Sequence, residues 1–249
     1  SPTKLAERRE HNAHDVLPII RGLIAEMNGP NASMPILDVR NGEDAIKFLE
    51  RSDIDELAKR GTASPDHVIR IKARPLVLRE SIWSSGRSAI KEVLDDYAAD
   101  YKAMFDRQAP NASQKKTMLN PDPKTIWMEG VGFIGLGGNQ KAASIAGDLV
   151  VQNARVRAVG EDAGGFYPIS EKDLFDCEYW SLEQAKLGKG KKPPFEGQVV
   201  MITGGGGTIG RATAKVFAAE GAHCVLVDSN EQALEESLVA LGSSHAAIS

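Results

Sequence analysis

Apolar positions recur along this chain at two spacings, one helical and one strand-like, and together they predict most of its elements. Val16, Ile19, Ile20, Leu23, Ile24 and Met27 fall on one helical face. They predict a helix over 15–27, stopped by Asn28-Gly29 and able to accept Pro18 only in its first turn. Residues 34–39 form a short apolar run and read as a strand. Asn41 is placed to cap a helix bearing Ala45, Ile46, Phe48 and Leu49, and Ser52 with Asp55 to cap one bearing Ile54, Leu57 and Ala58, ended by Gly61. Residues 68–78 read as a strand interrupted by Pro75. The clearest helical stripe is Ile90, Val93, Leu94, Tyr97, Tyr101, Met104 and Phe105, within 88–105. After an Asn-, Pro- and Lys-rich loop over 108–124, residues 125–138 read as two short strands around a glycine turn. A helix over 139–157 follows, with Ala143, Ile145, Ala146, Leu149 and Val150 inward. Ser170 with Asp173 then caps a helix holding Leu174, Cys177, Trp180 and Leu182.

The pattern breaks at LGKGKKPP, where lysines, glycines and a proline pair can neither bury surface nor hold regular structure. The chain is therefore expected to divide into a first domain over 1–187, a linker over 188–194 and a second unit over 195–249. In the second unit a buried strand, Val199 to Thr203, runs into four glycines, and a helix carries Ile209, Ala212, Val216 and Phe217 up to Gly221. HCVLVD (223–228) is a second buried strand. Ser229 with Gln232 reads as a capping box for a helix with Leu234, Leu238 and Leu241, closed by Gly242. The succession is α/β, and right-handed crossover makes its two strands a parallel pair, the start of a doubly wound sheet.

Composition narrows the class. In 249 residues, 42% hydrophobic content is enough for a core, and a net charge of −4 gives no basic footprint for nucleic acid or an anionic membrane. No apolar run is long enough to span a bilayer, and the polar N-terminal stretch does not read as a secretory signal. Cys177 and Cys224 form no CxxC pair and read as structural thiols of a reducing cytoplasm.

The chemistry lies in the glycines. Two stretches match GxGxxG. In EGVGFIGLGG, Gly130, Gly132 and Gly135 have the spacing, but Gly137 and Gly138 would fall inside the helix such a motif must open, at about 1 kcal/mol each. That stretch reads as a glycine-rich hairpin. In TGGGGTIG a strand precedes and a helix follows, as a pyrophosphate cradle requires. Glycines let the backbone approach the phosphates, and the unpaired amides and dipole of a helix N-terminus attract the anion. The candidate cofactor contacts are Thr203, Gly204, Gly205, Gly207, Thr208, Ile209 and Gly210 in the turn, with Asp228 and Ser229 after the next strand. Asp228 stands 18 residues beyond Gly210, where a carboxylate would accept hydrogen bonds from the adenosine ribose. With no Arg or Lys beside it, a 2′-phosphate would meet uncompensated negative charge, so NAD is expected over NADP.

MITGGGGTIGRATAKVFAAEGAHCVLVD resembles the opening unit of the short-chain dehydrogenase/reductase family. Thr203, Gly204 and Gly210 match its TGxxxGxG hallmark, while Thr208 replaces the middle glycine. GTASPDHVIRIKARPLVL, the EGVGFIGLGG hairpin and FDCEYWSLEQAKL, in that order before the linker, resemble a narrower type. This is the bifunctional rhamnulose-1-phosphate aldolase/alcohol dehydrogenase family, a class II aldolase-like domain fused to a short-chain dehydrogenase. The resemblance implies an aldolase that splits rhamnulose 1-phosphate, a dehydrogenase that oxidises the lactaldehyde released, and zinc held by an HxH pair and a later His-Gly element. This chain has neither zinc element: His11 and His14 are spaced HxxH in a polar stretch, and a single His67 lacks partners, so no metal ligand is assigned here. The dehydrogenase's catalytic Tyr with Lys four residues later is also absent, leaving the catalytic residues unknown. The chain is therefore expected to be an internal portion of a longer, homo-oligomeric cytoplasmic enzyme acting on a small molecule, with zinc possible in the missing part of the aldolase domain. A native gene product of 26.8 kDa would contradict the internal-portion reading. The competing reading is a nucleotide-binding module without turnover.

Overall fold

A computed structural model describes residues 13–30, 32–181, 184, 193–242 and 245–249. Of the expected linker only Pro193 and Pro194 are described; Leu182 and His11 also lie outside the described residues.

The first part is a four-stranded sheet between two helical layers. Strands β1 (Ile36–Arg40), β2 (Leu76–Leu78), β3 (Thr125–Met128) and β4 (Gly132–Gly137) take the order β1-β4-β3-β2. β4 is antiparallel to both its neighbours, and β2 runs parallel to β3. The period of two sends alternate side chains to opposite faces. Ile126, Met128, Ile134 and Leu136 meet Val16, Ile20, Leu23 and Ile24 of α1 (Ala13–Asn28) and Ile90 and Leu94 of α6 (Arg87–Gln108). Trp127 and Phe133 point the other way, into a core with α2 (Glu43–Leu49), α3 (Ile54–Lys59) and α7 (Gln140–Asp162). The second face explains the glycines of EGVGFIGLGG. A Cβ on Gly135 would stand 2.3 Å from the Gly147 nitrogen, and one on Gly137 2.3 Å from the Ala143 nitrogen, both in the backbone of α7. This stretch is a hairpin whose glycines let a helix lie directly on the strand.

Several local expectations shift. Residues 68–71 are helical, not strand: Ser64 is extended, Pro65 occupies the first position of α4 (Pro65–Ile71), and only Leu76–Leu78 remains strand. Gly42 and Asp53, not Asn41 and Ser52, precede α2 and α3, and neither helix has a side-chain cap. The Asp53 carboxylate is instead taken by Arg51, at 2.8 Å from both Nε and Nη2. Pro18 is the sixth residue of α1, beyond the first turn; the fully buried Val16 and Ile20 on either side of it anchor the helix there. Ser170 does cap α8 (Glu171–Glu178), its Oγ accepting from the Asp173 amide at 3.1 Å. A short helix α5 (Glu80–Trp83) links β2 to α6.

The second part is a parallel sheet in the order β5 (Val199–Thr203), β6 (His223–Val227), β7 (Ala246–Ile248). It has three strands where two were expected, because the weakly apolar Ala246-Ala247-Ile248 finds an edge on β6. Helices α9 (Thr208–Ala219) and α10 (Glu231–Leu241) pack with the Ile202, Cys224 and Leu226 face of this sheet. β5 is not the doubly buried strand its composition suggests: Val199 and Met201 are 47% and 66% exposed on the opposite face. α10 is capped by Asn230, whose Oδ1 accepts from the Ala233 amide at 3.0 Å, one residue later than the expected Ser229/Gln232 box. Asp228 causes the shift, since its own Oδ1 holds the Asn230 amide at 3.1 Å and delays the first helical turn.

Candidate functional site

The glycine turn sits beyond the C-terminal end of β5. Gly204 adopts φ +66, a left-handed value that glycine takes without steric cost, and reverses the chain. The Gly205 amide donates to the Val227 carbonyl at 3.1 Å and the Gly207 amide to that of Gly204 at 3.0 Å, closing the turn against the end of β6. Close approach is required at three positions. A Cβ on Gly210 would lie 2.2 Å from the Gly204 carbonyl oxygen, one on Gly205 2.7 Å from Leu226 Cβ, and one on Gly206 2.7 Å from Ala233 Cβ. The glycines therefore let the first turn of α9 start against the loop that precedes it. The first α9 amide to find a helical carbonyl is that of Arg211, on Gly207. Those of Thr208, Ile209 and Gly210 precede it and have no acceptor within the helix. Thr208 stands in that first turn with its side chain exposed, so the residue that departs from the dehydrogenase pattern does not enter the loop.

Asp228 reaches this turn from the next strand. Its Oδ2 accepts from the Gly206 amide at 3.0 Å and its Oδ1 from the Asn230 amide. A carboxylate offers about four lone-pair positions, so two remain for further donors. Arg211, which the sequence did not single out, braces the turn from behind: Nε donates to Ser237 Oγ at 3.0 Å and Nη2 to the Gly206 carbonyl at 3.4 Å. Its position directly after Gly210 was the available signal. Gly206 is likewise added by the structure. Thr203 is exposed at the end of β5 and Ser229 two residues beyond the end of β6, and Ile209 is 84% exposed at the mouth of the turn. The expected contacts thus surround one loop, with Asp228 bonded into it.

Two features of the first part concern chemistry. His67 is buried, with Nδ1 hydrogen-bonded to Ser64 Oγ at the start of its own helix and Nε2 to Gln152 Oε1 of α7 at 2.6 Å, so both ring nitrogens are engaged. Among the described residues no group of three His, Cys, Asp or Glu side chains could hold a metal, so the residues present do not fit the zinc that the aldolase resemblance implies. The second feature lies beyond sequence reasoning. Lys72, directly after α4, is the one described non-glycine residue with positive φ (φ 59, ψ 169), a conformation costing about 1–3 kcal/mol. Its ammonium stands 3.5 Å over the Tyr101 ring, and the Tyr101 hydroxyl bonds to both Glu178 Oε1 and Tyr179 Oη at 2.8 Å. No local motif joins residues so far apart in the chain.

Comparison with known proteins finds two family models on this chain. Residues 11–187 match the family model for aldolase class II, second domain, and residues 198–248 that for short chain dehydrogenase. The chain belongs to the class II aldolase family, here followed by a short-chain dehydrogenase unit. An uncharacterized oxidoreductase of Bacillus subtilis (strain 168), YuxG, is 28% identical over 234 residues, covering 90% of this chain and 32% of that protein. Levodione reductase of Leifsonia aquatica is 53% identical over 47 residues, 19% of this chain and 18% of the reductase. The chain thus spans about a third or less of the curated relatives it matches. Among solved structures, a citronellol catabolism dehydrogenase (AtuB) of Pseudomonas aeruginosa PAO1 is 38% identical over 24% of this chain and 26% of its own, with a TM-score of 0.23.

Proposed function

We propose that the dehydrogenase unit binds NAD, and that the whole protein couples an aldol cleavage to NAD-dependent oxidation of the small aldehyde it yields, lactaldehyde in the rhamnose series. The observation that carries the NAD reading is the Gly206 amide on the Asp228 carboxylate, which brings the acidic group to the rim of the glycine turn. The residues present fit the dinucleotide. Gly205, Gly206 and Gly210 occupy positions that a Cβ would fill, and the first-turn amides of α9, which have no helical acceptor, would suit an anion. Thr203, Gly204, Gly205, Gly207, Thr208, Ile209 and Gly210 would hold the pyrophosphate, and Asp228 with Ser229 the adenosine ribose. When bound, NAD supplies the hydride acceptor; this chain's residues bind and orient it. Exposed Ser229 and Asn230 after Asp228 offer no cation for a 2′-phosphate, which supports NAD over NADP. Cys177 and Cys224 are thiols outside any disulfide, which supports a cytoplasmic setting. No described helix is long and apolar enough to cross a membrane. The reading includes a homo-oligomer, for which exposed Val199, Met201 and Ile248 offer apolar surface. The test is calorimetric titration of the chain with NAD and NADP, followed by turnover of lactaldehyde by the full-length protein. NAD binding at least about tenfold tighter than NADP is expected, and equal affinities would remove the Asp228 argument. Binding without hydride transfer to any small aldehyde would instead favour the module without turnover.

A further inference from the structure

Arg211, in the first turn of α9, joins three segments through one guanidinium. Nε donates to Ser237 Oγ at 3.0 Å, Nη2 donates to the Gly206 carbonyl at 3.4 Å, and Glu236 Oε2 stands 3.5 Å from the same Nη2. Ser237 is fully buried on α10, and its hydroxyl donates in turn to the Ala233 carbonyl at 2.7 Å. A guanidinium is a planar fork of donors, so fastening Nε to α10 sets the direction in which Nη2 points. Both peptide groups that flank the Gly206 Cα are thereby tied. The one before it offers its amide to Asp228 Oδ2 at 3.0 Å, and the one after it offers its carbonyl to Arg211. Such ties are needed, because Gly205 and Gly207 stand on either side and a run of glycines rotates at little steric cost. Turned over, the first of these peptide groups would set the Gly205 carbonyl against the Asp228 carboxylate, and the two negative ends would repel.

We propose that Arg211 is a positioning residue for the dinucleotide, acting through Gly206 to hold the Asp228 carboxylate at the rim of the turn and so setting the preference for NAD over NADP. The inference rests on the NAD reading above and adds to it a residue that need touch no cofactor atom. With the carbonyl side of Gly206 fixed from α10, its amide stays on Oδ2 and the carboxylate keeps one orientation. The lone pairs that Gly206 and Asn230 leave free then point one way, ready for ribose hydroxyls. A group ordered before binding removes that ordering cost from the affinity. The same fixed charge stands where a 2′-phosphate would meet it. Without the guanidinium the glycines reorient, Asp228 loses one of the two backbone amides that hold it, and affinity for NAD and discrimination against NADP decline together. Gly206 has no slack to absorb the change elsewhere: a Cβ there would lie 2.7 Å from Ala233 Cβ and 3.1 Å from Asp228 Oδ2, so the residue is pressed between α10 and the carboxylate.

The test is a double-mutant cycle on the whole chain, with NAD and NADP titrated by calorimetry into wild type, Arg211→Ala, Asp228→Ala and the double variant. Arg211→Ala is expected to weaken NAD roughly tenfold and NADP by less than about threefold, so the gap narrows. In the Asp228→Ala background the same substitution should change NAD affinity by less than about threefold, because the group it positions is gone. Ser237→Ala, which removes only the anchor of Nε, should narrow the gap in the same direction by about threefold. Deuterium exchange of the peptide over 203–210, followed without cofactor, should quicken by roughly tenfold in Arg211→Ala while β6 exchanges as before. Equal losses for NAD and NADP, or the whole loss persisting in the Asp228→Ala background, would make Arg211 a brace of the fold alone and overturn the proposal. So would unchanged exchange in the glycine turn. A wild-type chain that binds neither nucleotide would remove the NAD reading and this inference with it; one that prefers NAD, and keeps that preference in Arg211→Ala, would remove this inference alone.

Discussion

Two stretches of this chain carry the same GxGxxG spacing and use it for opposite ends. In Gly130–Gly138 the glycines lie within a hairpin and its second strand, and the space left by Gly135 and Gly137 is filled by the backbone of α7 crossing β4. In Gly204–Gly210 they lie beyond the end of β5, where the space they leave lets a helix begin against its own turn with its first amides without a helical acceptor. The spacing reports that something approaches the backbone closely. What approaches depends on where the glycines stand relative to the strand's end.

That contrast can be broken from either side. The largest effect is expected from Gly135→Ala, which forces a Cβ to within 2.3 Å of the α7 backbone. Urea unfolding should show about 3 kcal/mol lost from the first part; an unmoved midpoint would mean that α7 is not seated on β4. Gly210→Ala, meeting the Gly204 carbonyl at 2.2 Å, should cost roughly tenfold or more in NAD affinity by calorimetry, because the helix is pushed off its turn. Asp228→Ala should weaken NAD about tenfold, or about 1.4 kcal/mol, while changing NADP less, so that the gap between them narrows. Equal losses for both would assign the carboxylate to the fold of the loop alone. The smallest effect belongs to Thr208→Gly. Restoring the family's glycine should move NAD affinity by less than about threefold and cost up to about 1 kcal/mol of stability through helix propensity, since the threonine side chain is exposed. A large gain in affinity would show that Thr208 does obstruct the loop.

What the sequence disclosed and what it hid follow from the range of each interaction. The α6 stripe, the Ser170 cap and the glycine turn were legible because each is decided within a few residues. The helix over 65–71 was missed because its apolar run, buried on nearly every position, has no clear period; Ser64-Pro65 was the better guide. The caps of α2, α3 and α10 each lie one residue beyond the expected position. At α10 Asp228 holds the Asn230 amide, and at α3 Arg51 takes the Asp53 carboxylate, leaving that helix without a side-chain cap. Strand β7 has too little side chain to announce itself and exists because β6 offers an edge. The Lys72, Tyr101 and Glu178 cluster was invisible in principle, because only the packing of α8 against α4 and α6 assembles it.

The exposed side of β5 has a consequence for handling the molecule. One edge of this strand has no hydrogen-bonded neighbour among the described strands, and Val199 and Met201 stand exposed beside it. Such a border is a template for the backbone of another chain. Colloidal behaviour of the isolated segment should therefore follow protein concentration and respond little to ionic strength, since amide pairing and apolar contact, rather than charge, would drive the growth. Charged or proline substitutions at Val199 or Met201 are the natural means of keeping it dispersed.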